Sequence, residues 1–250
     1  MFFSKYHIIR RLQNILYRSN IEIGKNNYIS PEVIIGNNVK IGNNNKIYGN
    51  TILHSNTVIG NNNYIYPACI IGDVPSCTNR KSYEYNPELF KGVSIGDNNY
   101  IHSLCYIQSG MYKKSVIQNN NKLLGLIGLG HDINIENNVT IYPEVAIGGS
   151  VDIKTGANIG MRTVINQKIV IGQYSMLASN STVIKHVFPY YININNKIHR
   201  LNTRKLPEYV NINDDMFLRE IYYKGCIDIQ TINSYIKKDI NIYYKSINGK

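Results

Sequence analysis

The sequence predicts an all-β solenoid, a parallel β-helix, and three observations carry that prediction. Every sixth residue from Leu123 to Val183 is aliphatic, through Leu129, Ile135, Ile141, Ile147, Ile153, Ile159, Ile165, Ile171 and Leu177. The same rhythm runs from Ile23 through Ile29, Ile35, Ile41, Ile47, Leu53, Ile59 and Ile65 to Ile71. It then survives a long interruption, because Ile95 lies four units of six beyond Ile71 and Ile101 and Ile107 continue the count. A helix repeats near 3.6 and a simple strand at 2, so a strict period of six belongs to neither. It describes a short strand and a corner repeated as one unit, each unit sending one aliphatic side chain into a shared core.

Taken in order, residues 1–20 break this rhythm. Phe2, Phe3, Ile8, Ile9, Leu12, Ile15 and Leu16 recur at helical spacing among Lys5, Arg10, Arg11 and Arg18, the pattern of a basic amphipathic helix. Such a helix is expected to cap the open end of the stack; the alternative is contact with a membrane surface. The solenoid itself is expected over 21–189. Glycines follow the aliphatic ladder at Gly24, Gly36, Gly42, Gly60 and Gly72, and asparagine runs such as Asn43-Asn44-Asn45 and Asn61-Asn62-Asn63 lie between the rungs. Both residue types tolerate positive φ, so these runs read as corners. A small or β-branched residue often stands four places after a rung, as at Val139, Val145, Val151, Ala157, Thr163, Ser175 and Ser181.

Two stretches leave the pattern as projecting loops, 73–92 and 109–122, the first returning in register and the second shifting the phase before Leu123. Long loops on a rigid scaffold commonly carry binding functions. The repeat is expected to stop at Lys185-His186-Val187-Phe188-Pro189. Residues 190–250 are expected as a small helical appendage, an irregular connector followed by helices near 214–224 and 230–245, packed on the stack. Three six-residue units make one coil of about 18 residues, so about seven to eight coils would stack at roughly 4.8 Å spacing.

Composition narrows the function classes. The 250-residue chain carries a net charge of +11, which points to an acidic partner: a membrane surface, nucleic acid, an acidic carrier protein or phosphate-bearing metabolites. No base-reading motif accompanies that charge, and nucleic acid is not expected as a partner. Cys69, Cys77, Cys105 and Cys226 form no CxxC pair; they are expected as reduced, mostly buried thiols, with no metal site. No apolar run approaches the roughly 18 residues of a membrane span, and no signal-peptide pattern opens the chain, so a cytoplasmic protein is expected.

The residues that carry chemistry are Gly130-His131-Asp132, beside the rung at Leu129. A histidine held next to a carboxylate suits general-base work, since its unperturbed pKa lies near 6.5. Around it stand Ala146-Ile147-Gly148-Gly149, Ile159-Gly160-Met161, Val164-Ile165-Asn166-Gln167 and Phe188-Pro189-Tyr190, with Ile71-Gly72-Asp73-Val74-Pro75 and Ile107-Gln108-Ser109-Gly110 opening the two loops. Together these stretches, spanning about 21–192, resemble the left-handed β-helix acyltransferases with hexapeptide repeats, and among them the UDP-N-acetylglucosamine O-acyltransferases of lipid A synthesis.

The resemblance implies left-handed coiling, a homotrimer with sites between subunits, and transfer of an acyl group to a hydroxyl or amine of a nucleotide-linked sugar. The acyl donor it implies is an acyl carrier protein or coenzyme A thioester as co-substrate, with no bound cofactor. It implies His131 as the base, Asp132 as its acidic support, and Gly149 as the backbone donor to the oxyanion. Substrate contacts are expected from Ser150, Asn166, Gln167, Arg80, Lys81 and Arg204. The chain departs from the family at Ser150 and Asn166, where histidines are usual. It also departs in its first loop, which offers Asn79, Arg80 and Lys81 in place of Asp-x-Lys, and at Gln108-Ser109-Gly110, where His-Arg-Gly is usual. Two other readings stand beside this one: an acetyl-CoA-dependent N-acetyltransferase of a nucleotide amino sugar, and a non-catalytic trimeric β-helix acting as a binding or scaffold module.

Overall fold

The computed structural model describes residues 20–76, 86–224 and 233–249. The expected N-terminal helix and the loop residues Asn79, Arg80 and Lys81 lie outside them, as do Cys77 and Cys226.

Strands of mostly two residues recur every sixth position, from β1 (Glu22–Ile23) to β24 (Thr182–Val183), and form three parallel sheets. Each strand pairs with the third strand after it. Thus β1 lies in register with β4 (Lys40–Ile41), Ile23 opposite Ile41, and the second residue of each pair is the aliphatic rung. From Ile35 to Val183 these rungs are buried in one continuous core, with Val139, Val145, Val151 and Ala157 filling the space between them. A side chain every six residues suffices because three rungs from the three sheets meet inside each triangular coil.

The corners explain the asparagine. Positive φ recurs at the sixfold period, at Asn26, Asn38, Asn44, Asn50, Asn56, Asn62, Asn98, Asn120 and Asn138 among others. Asparagine reaches this left-handed region at less cost than most residues. The neighbouring asparagines are bonding groups as well. Buried Asn63 accepts the backbone N–H of Asn99 at 2.8 Å and donates to Asn45 Oδ1 at 3.0 Å and Gly96 O at 2.9 Å. The same column continues through Asn99 to Asn121, which accepts from Val139 N at 2.8 Å. It ends there because the next coil offers valine, and among the described residues the buried Asn121 Nδ2 has no partner. Replacing Asn63 with leucine would orphan the Asn99 N–H and undo two donated bonds; a loss of about 1–3 kcal/mol for the orphaned group is expected. An equilibrium urea melt reads this directly, and an unchanged midpoint would show the column to be ornamental.

The two interruptions differ in size. Opposing rungs in successive coils are ordinarily 18 residues apart, whereas the coil spanning the first loop separates Asn61 from Asp97 by 36. The insertion equals a whole coil, so the six-residue phase is preserved. Of this loop, Pro87–Leu89 forms a short 3-10 turn capped by Asn86. Across the second interruption Asp97 and Asn119 are 22 apart, so four extra residues shift the phase. That loop is shorter than the expected 109–122. Ser115–Ile117 forms β13, pairing with β10 (Val93–Ile95), and Ile117 is a buried rung. The projecting segment is therefore 109–114.

The C-terminal part also departs from expectation, because it opens as sheet before it becomes helix. Val187 bridges to Ile171, and β25 (Tyr191–Ile194) adds in parallel to β23 (Met176–Leu177). It then folds back on β26 (Lys197–Leu201) through Asn195-Asn196, both at positive φ, as a two-residue hairpin turn requires. Helices α1 (Asp215–Lys224) and α2 (Ser234–Asn248) follow. Leu218 and Ile221 of α1 and Ile236, Ile240 and Tyr243 of α2 pack with Val170, Phe188, Tyr190 and Tyr191 in a second core on the solenoid's flank. Asp239 anchors α2 by accepting from the hydroxyls of Tyr190 at 2.6 Å and Tyr209 at 2.7 Å.

Candidate active site

Because equivalent positions recur every 18 residues, His131, Gly149 and Gln167 form one column at a corner of three successive coils. Asp132, Ser150 and Lys168 form the next column, all three at positive φ. The corner is laced by Ser150 N donating to His131 O at 2.7 Å and Lys168 N donating to Gly149 O at 2.9 Å.

His131 Nδ1 lies 2.7 Å from Asp132 Oδ2, with the imidazole 19% exposed and the carboxylate 2% exposed. Burial would push the Asp132 carboxyl up. The Lys113 amide, the His131 ring and the amides of Tyr112 and Met111 outweigh it and hold the group below the usual carboxylate range. An ionised Asp132 accepts from Nδ1–H, which leaves the Nε2 lone pair free. That nitrogen faces the next coil: a methyl group at Gly149 would sit 2.7 Å from Nε2 and 2.8 Å from Cε1. Only a residue without Cβ fits under the ring. Among the described residues the Gly149 N–H has no backbone acceptor, since the corner bonds use Gly148 N and Ser150 N instead. The base and a main-chain N–H without a backbone acceptor thus lie one coil step apart.

Both line a groove of about 680 Å³ running along the third sheet. Its floor is the outward column Gly128, Ala146, Val164 and Thr182, in register on adjacent strands β15 (Gly128–Leu129), β18 (Ala146–Ile147), β21 (Val164–Ile165) and β24. Ile184 ends the apolar side, and Ser76, Tyr106 and Gln108 form a polar head on the other side of His131. Gln108 Nε2 donates to Ser76 Oγ at 2.6 Å. Behind that head, His54 Nε2 lies 3.6 Å from Asp73 Oδ1. Burial holds the His54 imidazole below its usual value, against the pull of Asp73.

Of the residues expected at the site, His131, Gly149, Asn166 and Gln167 line the groove, and Asp132 stands behind His131. Asn166 Oδ1 accepts from Gln167 N at 2.9 Å. Ser150 sits at the corner beyond Gly149, outside the groove lining. Arg204 is exposed in the turn after β26, also outside it. Arg80 and Lys81 fall beyond the described residues. Sequence reasoning missed Ser76, Tyr106 and Gln108 as groove residues. Tyr106 stands opposite Gly128 at the head of the floor column, but 22 residues before it, so only a stacking count that allows for the four-residue insertion finds it. Among the described residues no three His, Cys, Asp or Glu side chains gather into a metal-binding set. No described helix is long and apolar enough to cross a membrane.

No family model matches the chain. By sequence it is similar to acyl-(acyl-carrier-protein)–UDP-N-acetylglucosamine O-acyltransferases. The Burkholderia orbicola protein is 29% identical over 94 residues, covering 37% of this chain and 36% of that one. The Helicobacter pylori protein is 29% identical over 115 residues, covering 45% and 43%. The chain therefore spans less than half the length of the curated relatives it matches. By structure the likeness is longer. The UDP-N-acetylglucosamine acyltransferase of Bacteroides fragilis superposes with a TM-score of 0.79 at 26% identity, covering 90% of this chain and 93% of that one. That of Francisella novicida gives 0.68 at 26%, covering 92% and 87%. The chain thus resembles the UDP-N-acetylglucosamine O-acyltransferases over part of its sequence and in its architecture, which is the left-handed β-helix of those acyltransferases.

Proposed function

We propose that this protein is an acyltransferase that moves an acyl group from a thioester to a hydroxyl or amine of a nucleotide-linked sugar of the UDP-N-acetylglucosamine type. The observation that carries the reading is the Asp132–His131–Gly149 alignment within the groove. His131 Nε2 takes the proton from the acceptor hydroxyl or amine as that atom attacks the thioester carbonyl. The Gly149 N–H meets the oxyanion that forms. Collapse breaks the carbon–sulfur bond, and His131 returns the proton to the departing thiolate. Asp132 keeps Nδ1 protonated throughout, so that Nε2 is the nitrogen that works.

The two ends of the groove differ in polarity, which supports a separate place for each substrate. Ser76, Tyr106 and Gln108 suit the sugar, and the floor of Gly128, Ala146 and Val164 suits an acyl chain. That apolar floor favours a longer acyl chain, such as a carrier-protein thioester delivers, over acetyl. A homotrimer with the groove closed by a neighbouring subunit belongs to the same proposal. It is supported by Leu104 and Leu126, 54% and 53% exposed at positive-φ corners of adjoining coils, where a branched apolar residue is costly unless covered. A cytoplasmic setting, where such thioesters are available, completes the reading.

Incubating the protein with UDP- and dTDP-amino sugars against acyl carrier and coenzyme A thioesters, with detection by mass spectrometry, tests it. A sugar product heavier by one acyl group is expected with a long-chain donor. Turnover with acetyl-CoA alone would favour the N-acetyltransferase, and no turnover with any thioester would favour the scaffold reading.

A further inference from the structure

The loop at 109–114 adds four residues to its coil, yet exposes Tyr112 and Lys113 instead of adding them to the core. What it delivers is main chain. The successive N–H groups of Met111, Tyr112 and Lys113 all donate to Asp132 Oδ1, each at 2.9 Å. The other oxygen of the same carboxylate holds His131 Nδ1. One buried carboxylate is therefore shared, one oxygen to the loop and one to the base. Three converging amides form a nest for an anion, and bonds to a charged acceptor are among the stronger ones available.

The loop is built to stay there. Its base is sewn by Gly110 N to Gly92 O at 3.0 Å, Lys91 N to Gly110 O at 2.9 Å and Gly92 N to Ser109 Oγ at 2.8 Å. Lys113 Nζ reaches Asp152 Oδ1 at 4.0 Å. Gly110 makes the turn possible, because a Cβ there would lie 1.7 Å from the Lys113 carbonyl oxygen.

We infer that residues 110–113 are a positioning element of the reaction: their backbone fixes the Asp132 carboxylate, and Asp132 in turn fixes the His131 ring as the Nδ1–H tautomer with Nε2 presented to Gly149. This rests on the reading of His131 as the base and adds what sets that base's geometry. Charge supports it, since the amides keep Asp132 ionised in spite of its burial. The competing account makes Asp132 a plain cap for a surface loop, with no consequence for the imidazole.

Two variants of the full chain separate these accounts. In the native protein, ring ¹⁵N shifts at alkaline pH should show His131 protonated at Nδ1, and the amides of 111–113 should exchange slowly. Gly110→Ala should open the loop, average the His131 tautomers, and lower kcat at least about tenfold with KM nearly unchanged, the size of loss that orienting residues commonly carry. Should that variant fail to fold, Asp132→Asn preserves volume; it should release the 111–113 amides to exchange at least tenfold faster and also disturb the tautomer. An unchanged His131 tautomer in the folded variants, or amides still protected in Asp132→Asn, overturns the inference. Full activity in His131→Ala would instead strike down the base reading and leave the tautomer and exchange results to judge the clamp by themselves.

Discussion

Replacing His131 with alanine is expected to lower kcat/KM for thioester-dependent acylation by about 10²–10⁴-fold, the usual contribution of a positioned general base. The protein itself should stay folded. The imidazole sits at a corner, 19% exposed and outside the aliphatic core. Asp132 would keep its three loop amides when the ring is gone. Asp132 Oδ2 would lose the imidazole N–H, so a modest loss of about 1–3 kcal/mol is expected, the cost of a buried acceptor left without its donor. The pairing of these two numbers is the test. Lost activity in a variant that still melts cooperatively, only slightly earlier, assigns His131 to the chemistry, whereas lost activity with a collapsed fold would assign it to structure. Undiminished turnover would remove it from the mechanism.

The solenoid was legible because its core repeats with a period that no other element shares. The whole-coil insertion at the first loop even preserved that count. The four-residue insertion hid β13: Ser115-Val116-Ile117 is followed by Gln118-Asn119-Asn120-Asn121, which reads as one polar loop until Ile117 is placed six before Leu123. The β25–β26 hairpin was hidden in the same way, its Asn195-Asn196 turn lost among the many asparagines of the corners. Corner residues themselves were half legible. Asparagine announced the positive-φ positions, but Leu104, Leu126, Arg162, Lys168 and Tyr174 occupy the same conformation with no such signal.

The site divides along similar lines. His131 and Asp132 are adjacent in sequence, so their pairing needed no fold to be suspected. Gly149 came from resemblance, and only the coil stacking shows why no Cβ is admissible there. The loop's hold on Asp132 was invisible in principle, since amide hydrogens of Met111, Tyr112 and Lys113 are common to nearly every residue type. Ser76 and Gln108 were equally hidden, because which loop residues fold back to the groove depends on the insertion's path.

Gly149 and Gly128 make a controlled pair along the same groove. A Cβ at Gly149 meets His131 Nε2 at 2.7 Å and Cε1 at 2.8 Å, and the ring cannot simply swing aside because Asp132 holds its far side at 2.7 Å. Gly149→Ala must displace the imidazole, the corner, or both, and it moves the oxyanion donor together with the base. Misplacement of about 1 Å at a reacting centre commonly costs about 10²-fold, so a loss of that order in kcat is expected. At Gly128 a Cβ meets no heavy atom of the described residues within 4 Å and points into the groove. Gly128→Ala should therefore fold and turn over as the native chain does, changing only the KM for the acyl donor whose path it narrows. Steady-state kinetics on both variants, with the donor varied, decide the matter. If Gly149→Ala turns over normally while Gly128→Ala does not, the reaction takes place farther along the groove than the His131 corner.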